Sequence, residues 1–196
     1  MLKIGITGGI GSGKTTVCRV FETLGIPVFY ADSVAKQIMV TDTILIEGVK
    51  SAFGKESYSK DGLLNNKHIA SIVFQDKNQL EMLNSLVHPA VFRAFDNWVK
   101  DISSAVPYIL KEAALLFESG SYQMCDKNIL VTAPLDVKIA RVMERDQVTK
   151  EQVVARIDKQ FTDEQKHKMA DYFIENTENS SVIMQVLSLH EQFLNR

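Results

Sequence analysis

The feature that most restricts the fold is a glycine-rich segment close to the amino terminus. Residues 8–15 read GGIGSGKT, which fits the phosphate-binding pattern of Gly, four residues, Gly, Lys and then Ser or Thr. A short apolar strand signal at 3–7 precedes the segment, and apolar residues at helical spacing follow it as far as Gly25. This order predicts a strand, a phosphate loop and a helix. The alternative is a Gly-rich turn with a surface lysine.

The residue types in this loop suit a nucleoside triphosphate. Glycines let the backbone curl so that its N–H groups point inward, and the start of the helix adds positive potential. We expect Lys14 to reach the β- and γ-phosphates and the Thr15 hydroxyl to ligate Mg²⁺. The residues expected to bind ATP in the loop are Gly9, Gly11, Ser12, Gly13, Lys14, Thr15 and Thr16.

The rest of the chain alternates strands and helices. Further strand signals lie at 27–30, 108–110, 128–132 and 172–174. Such alternation after a phosphate loop predicts an α/β fold with a five-stranded parallel sheet and helices on both faces. We assign a nucleotide-binding core, a helical insertion and a lid. The core comprises 1–40, 105–135 and 172–196, the insertion comprises 41–104, and the lid comprises 136–171.

Asp32 follows the second strand signal. In open parallel sheets, ligands bind at the carboxyl ends of the strands, so Asp32 is expected on the same sheet edge as the phosphate loop. A carboxylate there could orient an acceptor hydroxyl. It could also be an N-cap of the next helix, and the two roles are compatible.

The expected lid is unusually charged. Sixteen of the 36 residues in 136–171 are charged, with both signs equally represented. So charge-dense a segment is expected to pack weakly and to move. Arg141 and Arg145 are four residues apart, so on a helix they project from one face and could close over phosphates. A solvated helix with ion pairs is the alternative interpretation.

Composition excludes several classes of protein. The net charge of −2 gives the surface no predisposition toward nucleic acid or anionic membranes, and no stretch has the apolar length of a membrane span. Two distant cysteines, Cys18 and Cys125, fit a reducing compartment, so we expect a soluble cytoplasmic protein. We expect a monomer or a weak homo-oligomer.

A phosphate loop identifies the ligand but not the reaction. A guanine-nucleotide switch would need an Asn-Lys-x-Asp motif, whereas Asn66-Lys67 is followed by His68-Ile69. A kinase needs an acceptor site, a group that orients the acceptor and a lid that excludes water. Asp32, the insertion and the arginine segment could supply these, so a small-molecule kinase is favoured over a switch.

Further motifs occur together in one order over nearly the whole chain. They are GITGGIGSGKTT at 5–16, Leu24-Gly25, Ala31-Asp32, LNSLVHP at 83–89, LLFE at 115–118, Arg141 with Arg145-Asp146, the stretch 156–160, and Ala170-Asp171 with Asn176. As a set they resemble the dephospho-CoA kinase family, whose members have a P-loop nucleoside-kinase-like three-layer fold. That family phosphorylates the ribose 3′-hydroxyl of dephospho-CoA with ATP to give coenzyme A and ADP, the last step of coenzyme A biosynthesis.

The resemblance implies ATP and dephospho-CoA as partners, Mg²⁺ as cofactor, and a role for each matching position. Asp32 matches an acidic residue that orients the acceptor or acts as its base. The insertion resembles a CoA-binding subdomain, Arg141 and Arg145 match lid arginines that act with Lys14 in catalysis, and Asn176 matches a position near the adenine. The implied acceptor-binding residues are Asp32, His88, Leu115, Leu116 and Glu118.

Some positions depart from the family pattern or allow another interpretation. Tyr30, Ala114 and Lys138 stand where the family usually has Asp, Pro and Gln, and Tyr30 leaves Asp32 without a paired carboxylate. His88 before Pro89 also suits a helix start. Glu118 could instead cap a helix or pair locally.

Overall fold

A computed structural model describes residues 1–195. Its strands are β1 (Leu2–Thr7), β2 (Val28–Tyr30), β3 (Tyr108–Glu112), β4 (Lys127–Thr132) and β5 (Tyr172–Glu175). Its helices are α1 (Lys14–Thr23), α2 (Ala31–Thr41), α3 (Thr43–Phe53), α4 (Asn66–Val73), α5 (Lys77–Asp101), α6 (Leu135–Asp146), α7 (Lys150–Ile157), α8 (Asp163–His167) and α9 (Val182–Leu194). Within residues 1–195, no helix combines the length and apolar character needed to cross a bilayer.

The five strands form one parallel sheet in the order β2-β3-β1-β4-β5. Strand β1 therefore lies at the centre, and every residue of its neighbour β3 is buried. Burial of both faces is what a parallel sheet requires, because crossover helices cover it. The predicted α/β fold and parallel sheet are confirmed.

The main core joins the sheet to α1 and α9. Ile4 and Ile6 of β1 are fully buried with Phe21 of α1 and Phe193 of α9. Tyr108 lies between them, edge-on to Phe21 at 6.2 Å and to Phe193 at 5.2 Å between ring centroids. This packing fixes the axis of α1, and hence the direction in which its amino terminus points.

The chain forms two compact units. One comprises residues 1–30 and the chain from Ile102 onward, and contains the whole sheet. The other comprises 31–101 and is helical, so it begins at Ala31, earlier than residue 41, the start that the sequence predicts for the insertion. Its interior includes Leu45, Val49, Ile69 and Phe95.

The long helix α5 corrects one expectation. The sequence suggests a helix start at His88-Pro89, between two apolar stripes, but α5 is continuous over 25 residues and Pro89 lies inside it. A proline inside a helix removes one backbone hydrogen bond and costs about 3 kcal/mol. Burial of Ala90, Val91 and Phe95 just beyond it favours continuation of the helix.

Candidate active site

The phosphate loop connects the central strand to α1, as its sequence predicts. Strand β1 ends at Thr7 and α1 begins at Lys14, so residues 8–13 form the loop. Within it, the Ser12 N–H donates to the Gly9 carbonyl at 3.1 Å. The Lys14 ammonium donates to the Gly8 carbonyl at 3.0 Å, so the lysine folds back over the loop.

Gly13 can be replaced by no other residue without strain. Its φ is 93°, in the left-handed region that glycine adopts freely, and it is the residue immediately before α1. A Cβ at this position would collide with the Asn176 side-chain amide. The pattern thus places glycine where both the backbone angle and the available space require it.

Arg141 and Asn176 meet at the loop. The Asn176 side-chain nitrogen donates to the Ser12 carbonyl at 2.9 Å, and its backbone nitrogen donates to the Thr132 carbonyl at 2.8 Å. Arg141 donates to the Gly11 carbonyl and to the Asn176 side-chain oxygen, each at 3.4 Å. The arginine predicted from the sequence therefore lies against the loop, and Asn176 links the end of β5 to it.

Arg145 is held elsewhere, although it is on the same helix as Arg141. Its guanidinium makes two hydrogen bonds to Asp146, at 2.7 and 3.1 Å, and Arg156 donates to the same carboxylate at 2.7 Å. These two cations lower the pKa of Asp146 to about 2, with the Arg145 hydrogen bond as the main cause. In this conformation, one predicted lid arginine lies at the loop and the other is paired with Asp146.

The charge-dense segment packs more closely than its composition predicts. Its helices α6 and α7 share a small apolar cluster built on Ile139, Val142 and Val153, all of which are buried. Ile10 of the phosphate loop packs against that cluster. Helices rich in charged residues are expected to pack weakly, because they expose most of their surface. In α6 and α7, however, the few apolar residues collect on one face.

Glu112 is a residue at this sheet edge that the sequence analysis missed. It ends β3, stands opposite Ile6 of β1 and Tyr30 of β2, and is only 7% exposed. Burial raises the pKa of the Tyr30 phenol, which hydrogen-bonds to Glu22, and the Glu112 charge raises it further. The strand signal ended at residue 110, which left Glu112 outside the expected edge.

Three residues expected to bind the acceptor lie in the unit that contains the sheet, and only some of them are accessible to solvent. Leu115 is 43% exposed, whereas Leu116 is fully buried, and its side chain faces Gly5 in the interior. The structure gives Leu116 a packing role. Glu118 accepts a hydrogen bond from the Phe161 N–H at 2.8 Å and pairs with Lys166 at 3.1 Å. It thus has the local pairing that was the alternative to acceptor binding.

The other two predicted acceptor residues belong to the helical unit. Asp32 lies in the first turn of α2, where a carboxylate interacts favourably with the helix dipole. His88 lies within α5 and stacks on Phe92 with 6.4 Å between ring centroids. Burial lowers the pKa of His88, so the neutral imidazole is favoured.

The donor set at the loop suits a magnesium ion that arrives with its nucleotide. Thr15 is exposed in the first turn of α1, where its hydroxyl oxygen can serve as a ligand. Residues 1–195 contain no group of three or more His, Cys, Asp or Glu side chains placed to hold a metal. Mg²⁺ is characteristically held by one or two protein oxygens together with phosphates and water, so these residues fit it.

Comparisons with solved structures agree with this geometry. A crystal structure from Thermus thermophilus superposes with a TM-score of 0.86 at 33% identity, covering 98% of this chain and 97% of that one. A dephospho-CoA kinase from Campylobacter jejuni gives 0.71 at 27% identity over the same shares. Shikimate kinase from Acinetobacter baumannii, with a TM-score of 0.54 and 16% identity, shares the fold.

Sequence comparisons identify the family. The family model described as dephospho-CoA kinase matches residues 2–181. The dephospho-CoA kinase of Chlorobium chlorochromatii is 38% identical over 98% of this chain and 94% of its own length. That of Salinibacter ruber is 41% identical over 90% of this chain and 89% of its own length. The chain therefore belongs to the dephospho-CoA kinase family, whose members are phosphotransferases acting on dephospho-CoA.

Proposed function

We propose that this chain transfers the γ-phosphoryl group of ATP to the ribose 3′-hydroxyl of dephospho-CoA, giving coenzyme A and ADP. The observation that carries the proposal is the phosphate loop with Arg141 and Asn176 against it, in a chain that matches the family model over residues 2–181. We further propose that the enzyme acts in the cytoplasm as a monomer or weak homo-oligomer.

The binding of ATP is assigned to the loop and its neighbours. Phosphate oxygens would replace the carbonyls that Lys14 now contacts, because an anion is a stronger partner for an ammonium than a neutral carbonyl. The Thr15 hydroxyl would hold Mg²⁺, which when bound neutralises developing charge on the phosphates. Asn176 fixes the loop backbone from the side of β5.

The transfer itself requires an oriented acceptor and positive charge at the phosphoryl group. Asp32 would orient the 3′-hydroxyl and accept its proton, while Arg141 stabilises charge on the phosphoryl oxygens. Arg145, whose side chain is 64% exposed, would join it by exchanging Asp146 for a phosphate. An arginine supplied in this way can accelerate phosphoryl transfer by ~10³–10⁵.

The test is ADP release from ATP with dephospho-CoA, adenosine, AMP or no acceptor. The proposal predicts release with dephospho-CoA and little with the others, and loss of that release in Lys14→Ala. Release without any acceptor would favour a nucleotide-dependent switch. Release with AMP alone would assign the protein to the nucleoside monophosphate kinases.

A further inference from the structure

The third residue of the phosphate loop is fixed by the charge-dense segment in two ways. The Ile10 side chain packs against the apolar cluster of α6 and α7, and its N–H donates to the Gln160 side-chain oxygen at 3.0 Å. Backbone N–H groups of a phosphate loop ordinarily donate to a bound anion, but the Ile10 N–H already donates to a protein oxygen. The first turn of the loop is therefore attached to residues 139–160 by one hydrogen bond and one apolar contact.

A buried lysine supports the residues on either side of Ile10. The Lys138 side chain is only 7% exposed, and its ammonium lies 2.5 Å from the Asp163 carboxylate. A Cβ on Gly9 would lie 3.4 Å from both charged groups, and one on Gly11 would collide with the Lys138 carbonyl. The loop backbone thus lies directly on this ion pair.

The segment that carries Gln160 and Asp163 is itself attached to the core. Glu118, after β3, accepts the Phe161 N–H at 2.8 Å. The same oxygen lies 3.1 Å from the ammonium of Lys166, which is fully buried. A buried pair of this kind resists displacement, because separating it leaves an uncompensated charge. Residues 160–166 are therefore a fixed support for the loop.

We propose that Gln160 and the Lys138–Asp163 ion pair are positioning residues for phosphoryl transfer, which hold residues 9–11 of the loop in the conformation that binds the nucleotide phosphates. The inference rests on the proposed function of this loop as the ATP site. Catalysis by positioning tolerates little displacement, since a shift of ~1 Å can cost a hundredfold in rate.

Gln160 is tested by two substitutions of similar size. Gln160→Met removes the acceptor for the Ile10 N–H, and Gln160→Glu keeps it. Loss of one hydrogen bond predicts roughly fivefold weaker binding of a non-hydrolysable Mg-ATP analogue in Gln160→Met, with a larger fall in kcat. Gln160→Glu should recover part of both, because it keeps the acceptor but adds a negative charge beside the phosphates. Wild-type analogue affinity and kcat in Gln160→Met would overturn the assignment to Gln160.

The ion pair is tested by a double-mutant cycle of Lys138→Met and Asp163→Asn, with Lys138→Gln as a milder replacement. The control is Lys168→Met, which removes an exposed ion pair to Glu164 from the same segment. We expect each single ion-pair variant to weaken analogue binding about tenfold and the double variant to lose less than the product. Wild-type affinity in Lys138→Met, or strictly multiplicative losses, would overturn the proposal.

Two readouts separate this inference from the proposed function. Failure of the wild-type protein to phosphorylate dephospho-CoA would reject the proposed function, and analogue affinity would still report on the loop support. Thermal unfolding of each variant identifies a purely structural role, which would lower the Tm of Gln160→Met without changing its analogue affinity at a temperature where it is folded. That outcome would also reject the inference.

Discussion

Tyr30 stands directly opposite Glu112 at the carboxyl edge of the sheet. Burial raises the pKa of its phenol, which hydrogen-bonds to Glu22, and the charges of Glu22 and Glu112 raise that pKa further. An aspartate at this position would be a third carboxylate beside those two, at a cost in repulsion. A neutral tyrosine avoids that repulsion, and the acidic residue is then Asp32, two residues later in the Ala31-Asp32 motif.

Replacing Asp32 by Asn separates its two possible roles. The substitution keeps the size of the side chain but removes the proton acceptor, so we expect kcat to fall by ~10²–10⁴. Affinity for a non-hydrolysable ATP analogue should stay within about twofold, since that site is assigned to the loop. Asp61→Asn, an exposed change in the same helical unit, is the control for turnover. Near-normal turnover in Asp32→Asn would leave this carboxylate only a helix-dipole role.

The cysteines should be unreactive in the folded protein. Burial raises the pKa of Cys125 to about 11 and, together with Glu112 and Glu22, raises that of Cys18 further. At a pH well below its pKa, a thiol is almost entirely protonated and little of the reactive thiolate is present. At pH 8, Cys125 should therefore react with Ellman's reagent roughly a hundredfold more slowly than in the unfolded chain. Its rate should rise as the pH approaches 11. Rapid labelling of Cys125 in the folded protein at pH 8 would contradict this prediction. The reference rate is measured on the protein unfolded in denaturant.

The two ends of α1 show how one helix serves both fold and site. At its carboxyl end, the Gly25 N–H donates to the Glu22 carbonyl at 2.9 Å and the Ile26 N–H to the Phe21 carbonyl at 3.1 Å. This is a Schellman motif with Gly25 in the left-handed region, and it turns the chain toward β2. At the amino end, Gly13 takes a similar angle, but its neighbours belong to the loop and to Asn176.

Alanine at these two glycines should therefore have different effects. Gly25 has a φ of 80°, and a methyl group there would meet open space within 4 Å, so Gly25→Ala should cost about 1–2 kcal/mol of unfolding free energy by backbone strain alone. Its affinity for an ATP analogue should match wild type. Gly13→Ala adds a collision with Asn176 and should abolish analogue binding. Urea unfolding and calorimetric titration measure the two effects, and wild-type binding in Gly13→Ala would disprove the close packing.

Across the whole molecule, sequence patterns locate elements better than they locate charged partners. The five strands are predictable from short apolar runs, and the loop from its glycines and lysine, because these signals are local. Lys166 shows the opposite case: it lies in a charge-dense stretch, yet it is fully buried against Glu118. No periodicity connects residues so far apart in the chain. Pro89 likewise resembles a helix boundary in the sequence, because the hydrogen bond it removes is local. The tertiary packing of Ala90, Val91 and Phe95, which outweighs that loss, cannot be seen in the local sequence.

The two-unit organisation predicts where each substrate reduces backbone hydrogen exchange. A ligand that binds only the folded form at 100 times its Kd stabilises it by about 2.7 kcal/mol, and the exchange of the amides it orders slows accordingly. A non-hydrolysable ATP analogue should protect the loop and α6, because Arg141 and Ile10 join these elements. Dephospho-CoA should protect residues 31–101, the unit that holds Asp32 and His88. Lys14→Ala is the control, since it should lose only the first effect. Protection by dephospho-CoA confined to the sheet-containing unit would refute the assignment of the helical unit to the acceptor.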